Sequence, residues 1–167
     1  YNGIASSQAA SDDLSTIPAG YPRVALEQIN LDGMLFGNSA IRFADVIDGT
    51  SHTVMFGEMH TNPDFQKDGQ SMDYWHIGLP HTGNWVPGGT GGTEYSEAIS
   101  STYPPINAWK DSNLPGVVME LSCGSYHPGG AHFGFVDGSV RFLSETIEIS
   151  IYRGLGSRNG QEQSVGF

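Results

Sequence analysis

The sequence predicts an α+β fold: an antiparallel sheet with long irregular loops and one short C-terminal helix. Three observations lead there. An Asp-Gly pair, Asp137-Gly138, sits between two runs of alternating apolar residues, the strongest short-range signal for a β-hairpin. The chain carries 23 Gly and 9 Pro with only 38% hydrophobic residues, which favours turns and strands over helices. Near the C-terminus, Ile147, Ile151 and Leu155 recur at helical intervals. At 167 residues the chain reads as a single domain, 1–167, long enough to bury a core.

The elements follow in order. Tyr1–Ala5 is an edge-strand candidate, and Ser6–Gly20, small and polar, reads as an exposed loop. Asp32-Gly33 marks a turn leading into a short apolar strand, Met34-Leu35-Phe36. Phe43–Ile47 reads as a helical turn ending at Asp48-Gly49, and His52–Glu58 as a strand rich in β-branched and apolar side chains. Residues 59–116 form a variable loop region, with strands expected only around Tyr74–Ile77 and Asn84–Val86. Val117–Ser122 reads as a short strand. The hairpin spans His132–Leu143, and a helix over Glu148–Gly156 is stopped by Asn159-Gly160.

A type I′ turn at Asp137-Gly138 would pair Phe135 with Val140 and Phe133 with Phe142. These four apolar residues would then face the core, with His132 and Arg141 on the opposite side. Asp137 and Gly138 become turn formers. His127, which precedes Pro128-Gly129-Gly130, becomes a loop residue whose ring can bond nearby backbone.

Three blocks of the sequence resemble a known family. His127-Pro128-Gly129-Gly130 followed by Asp137-Gly138-Ser139-Val140-Arg141-Phe142 is similar to the C-terminal signature of the pilin-like proteins expanded in planctomycetes, a histidine, nine residues and Asp-Gly. Arg42–Glu58 resembles that family's central block, with His52 where Asn is common, and Tyr152–Gly160 resembles its closing segment. The resemblance implies the globular head of a pilin or pseudopilin. It also implies a prepilin-type leader and a hydrophobic helix upstream of Tyr1, through which alone the protein would meet a membrane. The implied role is non-enzymatic: a structural subunit of an envelope-anchored or extracellular filament or secretion apparatus, exported and self-associating or joined to similar subunits.

Charge narrows the partners. A formal net charge of −11, from 18 acidic and 7 basic residues, opposes nucleic-acid binding, which needs a basic footprint. Cys123 is the sole cysteine, so no intrachain disulfide can form within these residues, and it reads as a buried, inert thiol, with pairing to another chain left open. No run of about 18 apolar residues is present.

Candidate chemistry is sparse. His127 and His132 lie five apart, as do His76 and His81; that spacing puts strand side chains on opposite faces and misses the i,i+4 alignment of helical zinc pairs. Calcium is the better metal candidate, through the motif acids Asp45, Asp48, Glu58 and Asp137, and some pseudopilins carry calcium in a C-terminal loop. No twelve-residue calcium loop occurs, no other cofactor is implied, and Asp48-Gly49 and Asp137-Gly138 are explained as turns. No Gly-x-Ser-x-Gly elbow supports nucleophilic catalysis, which leaves a hydrolase as the trailing reading. Trp75, Trp85 and Trp109 suggest the alternative to a structural subunit, an extracellular module binding carbohydrate or protein through the 59–116 loops.

Overall fold

A computed structural model describes residues 1–60, 95 and 98–160. Among these residues five strands form one sheet: β1 (Asn2–Ser6), β2 (Val54–Gly57), β3 (Ile99–Ser101), β4 (Gly130–Phe135) and β5 (Val140–Ser144). Their spatial order is β3-β1-β2-β4-β5. Among the described residues the helices are a single turn, α1 (Gly116–Met119), and α2 (Ile149–Leu155), with 3₁₀ turns at Phe43–Asp45 and Ala108–Lys110. The expected strands at Tyr74–Ile77 and Asn84–Val86 lie outside the described residues. None of the helices described is long and apolar enough to cross a membrane.

The sheet is mixed rather than antiparallel. β1 runs parallel to β3 and antiparallel to β2, so the N-terminal strand lies inside the sheet and not at its edge. All five of its residues are buried. A strand covered on both faces loses the polar–apolar alternation that marks a half-exposed one. Built of Asn2, Gly3, Ile4, Ala5 and Ser6, it has no apolar run to betray it either.

Residues 31–37 are not a strand but a loop laid across β1. Gly33 N–H donates to the Ala5 carbonyl at 2.9 Å, and Met34 and Leu35 both donate to Ile4 O. The approach is close enough that a Cβ on Gly33 would stand 2.5 Å from the Ala5 backbone. Nor is Ser6–Gly20 an exposed loop throughout: Ala9, Ala10 and Ser11 are fully buried, and Ile17 nearly so. Small side chains let this segment pack closely against Leu26 and Ala25.

The Val117–Ser122 segment begins with a turn of helix, α1, despite its two valines. Pro115 supplies an extended residue and a free carbonyl just ahead, which accepts from Val118 and Met119. α2 starts one residue later than expected because Glu148 serves as its N-cap, its carboxylate accepting the Ile151 N–H at 3.1 Å.

The hairpin register is the most consequential difference. Gly134 pairs with Val140, Phe133 with Arg141, and His132 with Phe142. Asp137 does not adopt the positive φ that a type I′ turn demands, and Gly138 alone does, at +85°. Phe135 O accepts from Gly138 N–H while Phe135 N–H donates to Ser139 O. This is a three-residue loop, Val136-Asp137-Gly138, ending in a left-handed glycine. The added loop residue reverses the faces of β5. Phe133 and Phe135 stay in the core, but Val140 and Phe142 are 68% and 46% exposed. Leu143 takes the inward position, and the Arg141 guanidinium lies 4.4 Å from the centre of the Phe135 ring.

The principal core joins Ile4, Val54, Phe133, Phe135 and Leu143 of the sheet to Tyr152 and Leu155 of α2. Phe133 and Tyr152 meet edge to face at 5.7 Å. We predict that Phe133→Ala costs about 3–5 kcal/mol in denaturant unfolding, whereas Phe142→Ala costs about 1 kcal/mol or less. Equal losses would restore the register in which both rings face inward.

Candidate functional site

A β-bulge decides where the site falls. Val54 pairs with Phe135, yet Phe56 pairs with Gly134, so β2 advances two residues while β4 advances one. An extra residue of this kind re-aims everything beyond it. Val54 points into the core; past Met55, Phe56 turns outward and Gly57 is buried. Gly57 has no room for a side chain, since a Cβ there would come within 2.3 Å of the Cys123 sulfur. Glu58 then emerges on the outward face beside His132.

Glu58 and His132 are joined twice through the backbone. Glu58 N–H donates to His132 O at 2.9 Å, and His132 N–H donates to Glu58 Oε2 at 2.8 Å. The His132 side chain follows, its Nδ1 3.3 Å from the same oxygen. From the loop ahead of β4, His127 approaches from the other side, with Nε2 3.4 Å from Glu58 Oε1. The two imidazoles stand edge to face with centres 5.1 Å apart, and the Phe142 ring contacts His132 at the same separation.

The turn that delivers His127 is strongly held. Ser125 Oγ donates to Gly130 O at 2.8 Å and accepts His127 N–H at 3.0 Å. Gly129 takes a φ of +84°, and Gly130 lies so close to β5 that a Cβ would meet Leu143 O at 2.0 Å. Beneath the turn, Asn107 accepts Ser125 N–H on Oδ1 at 2.9 Å and donates through Nδ2 to Glu145 at 2.6 Å. Lys110 Nζ completes that network at 2.6 Å from Glu145, whose carboxyl is held below its usual range by the Lys110 and Asn107 bonds. Nearby, the His60 ring packs against Trp109 and Tyr126, and burial lowers its pKa.

Of the four acids considered for calcium, only Glu58 enters this cluster. Asp45 is engaged by Arg42 at 2.8 Å, which brings its pKa to about 2. Asp48 Oδ2 accepts Gly160 N–H, and Asp137 Oδ1 accepts the Ser139 N–H and hydroxyl at the hairpin loop. Trp109 is partly buried against His60, while Trp75, Trp85, His76 and His81 lie outside the described residues. A separate cleft of about 590 Å³ lies between residues of the 6–14 and 24–32 segments. Of its two acids, Asp32 accepts from Ser6 Oγ at 2.6 Å and Ser7 N–H at 3.0 Å, and Glu27 Oε1 accepts the Leu14 N–H at 2.8 Å.

Bringing Glu58, His127 and His132 together was beyond the reach of sequence spacing. His127 is not on the strand, so the five-residue interval does not separate the two rings. Glu58 arrives from 74 residues before His132, through the β2–β4 pairing.

An α+β fold with a polar constellation on its outward sheet face is thus defined, and its family is known. The chain belongs to a family described as a protein of unknown function (DUF1559), matched over residues 9–150; this is the planctomycete-type pilin-like family that the three sequence blocks resemble. No curated protein and no solved structure matches the chain.

Two outcomes are expected. Cys123 is fully buried, and its pKa is pushed up to about 12 by that burial, so the thiol stays protonated at neutral pH. A soluble disulfide reagent should leave the native protein unlabelled at pH 8 and react at once in denaturant; rapid native labelling would contradict this packing. Asn107→Ala should cost about 1–3 kcal/mol by orphaning the Ser125 N–H, read as a lowered denaturation midpoint.

Proposed function

We propose that this chain is the globular head of a pilin-like or pseudopilin-like structural subunit, non-enzymatic and working in the cell envelope or outside the cell. Its action is assembly: an upstream helix anchors and stacks subunits while the head contacts its neighbours.

The observation that carries this reading is an exposed apolar stripe on the unit built by the family blocks. Phe56 pairs with Gly134, which pairs with Val140, and His132 pairs with Phe142, so these residues are adjacent across three strands on one face. Phe56, Val140 and Phe142 are 41%, 68% and 46% exposed. Contiguous apolar surface of this kind favours a contact role, since it gains by being covered. Supporting it, the remaining block residues serve one another. Ile47 and Asp48 N–H groups donate to Arg158 O, Thr53 Oγ1 donates to Ser157 O, and Arg158 in turn grips the 31–33 loop.

The test starts from the full gene. We expect a basic leader followed by Phe-Thr-Leu-x-Glu and a long hydrophobic segment, with wild-type protein recovered in the sheared high-molecular-weight surface fraction. Phe142→Glu in that full protein should leave the head folded and deplete it from this fraction. A gene without such a leader, or undiminished assembly of the variant, would sink the reading.

A further inference from the structure

We propose that Glu58, His127 and His132 form a binding site for a divalent transition-metal ion, with zinc the best fit. One ligand atom from each residue lies within 4.8 Å of the other two. The contacts of Glu58 with the two rings carry the argument. Charge-assisted N–H···O⁻ bonds close to about 2.7–2.9 Å, but His127 Nε2 and His132 Nδ1 stop at 3.4 and 3.3 Å from the carboxylate. Ligands roughly 2.0–2.1 Å from a tetrahedral zinc lie about 3.3–3.4 Å from one another. Each ring thus stands off from its own carboxylate oxygen, His127 from Oε1 and His132 from Oε2, by about the edge of a zinc coordination shell.

The donor set agrees. Two borderline imidazoles with one carboxylate oxygen suit zinc and its neighbours in the first transition row. Calcium takes six to eight oxygens, and here a single carboxylate is offered. The ligands are also positioned independently of any ion. Glu58 Oε2 is fixed by the His132 N–H at 2.8 Å, and its carbonyl accepts Gly124 N–H at 2.8 Å. His127 is carried by the turn that Ser125 closes. These contacts hold the Glu58 carboxylate and the backbone that carries His127 in place before any ion arrives.

Access completes the case. The Glu58 side chain is 16% exposed, whereas those of His132 and His127 are 39% and 56% exposed. An ion can enter from solvent and displace little. With three protein ligands, a tetrahedral ion keeps one position open on the solvent side, for water or a donor from outside the chain.

The experiment titrates zinc into the chelator-stripped protein by calorimetry and follows the melting temperature. Cobalt(II) serves as a spectroscopic probe of a low-coordinate site. We expect one zinc per chain, a raised melting temperature, since an ion that prefers the folded state must stabilise it, and visible cobalt bands of tetrahedral intensity. His127→Ala is the key variant, because its exposed ring can be removed without opening the core. It should weaken zinc at least tenfold and abolish the cobalt bands while the metal-free melting temperature stays within a few degrees. His132→Ala and Glu58→Gln should act alike, each referred to its own metal-free melt. Zinc binding that survives His127→Ala undiminished would place the ion on other histidines and overturn the assignment. So would absence of any zinc-dependent melting shift, or a calcium shift abolished by these same variants.

Discussion

The antiparallel pairing of β2 with β4, interrupted by one extra residue at Met55, is the constraint on which the rest depends. On its inner side it sets Phe133 opposite Gly57, where only a glycine leaves room for the Cys123 sulfur and the Phe133 ring. Beyond the bulge it sends Phe56 and Glu58 outward. A regular strand would keep both on the same face as Val54 and bury a carboxylate in the principal core, where an unpaired charge is costly. One inserted residue therefore separates a hydrophobic interior from a polar surface constellation, over a strand of four residues.

The C-terminal segment locks this arrangement from outside the sheet. α2 contributes Tyr152 and Leu155 to the core, and the chain then runs back along the central block. Arg158 Nη1 donates to the carbonyls of Leu31 and Gly33 at 2.5 and 2.6 Å, its N–H donates to Asp32 O, and its guanidinium lies over Phe36. One guanidinium nitrogen holds both carbonyls while the planar group lies against an aromatic face, a combination that a lysine ammonium does not reproduce. Arg153 does similar work nearby, donating to Tyr103 O and stacking on the Tyr103 ring at 4.0 Å. The two basic residues of the closing block thus act as backbone clamps, a local role that an overall charge of −11 does not suggest.

What the sequence made legible follows from which signals are local. The hairpin and α2 were readable because Asp137-Gly138 and the Ile151–Leu155 spacing are short-range patterns. The hairpin's faces were not, since two loop lengths share the same Asp-Gly pair and differ only in whether Asp137 reaches positive φ. β1 escaped as an interior strand because burial on both faces erases alternation. For the candidate site, Glu58 and His127 stood out singly, but no spacing rule spans the distance from residue 58 to residue 132. Their meeting depends on strand order and on a bulge, both of which are tertiary outcomes.

The place of β1 has a mechanical meaning. Its first residue, Asn2, sits opposite Gly57, and the strand is flanked by β2 on one side and β3 on the other. A tension applied through the N-terminus would pull β1 along its own axis, loading the bonds to both neighbours in shear at once. Peeling an edge strand breaks its ladder one rung at a time; drawing out an inner strand does not offer that path. A domain tethered at this end would be gripped where its sheet is hardest to unzip.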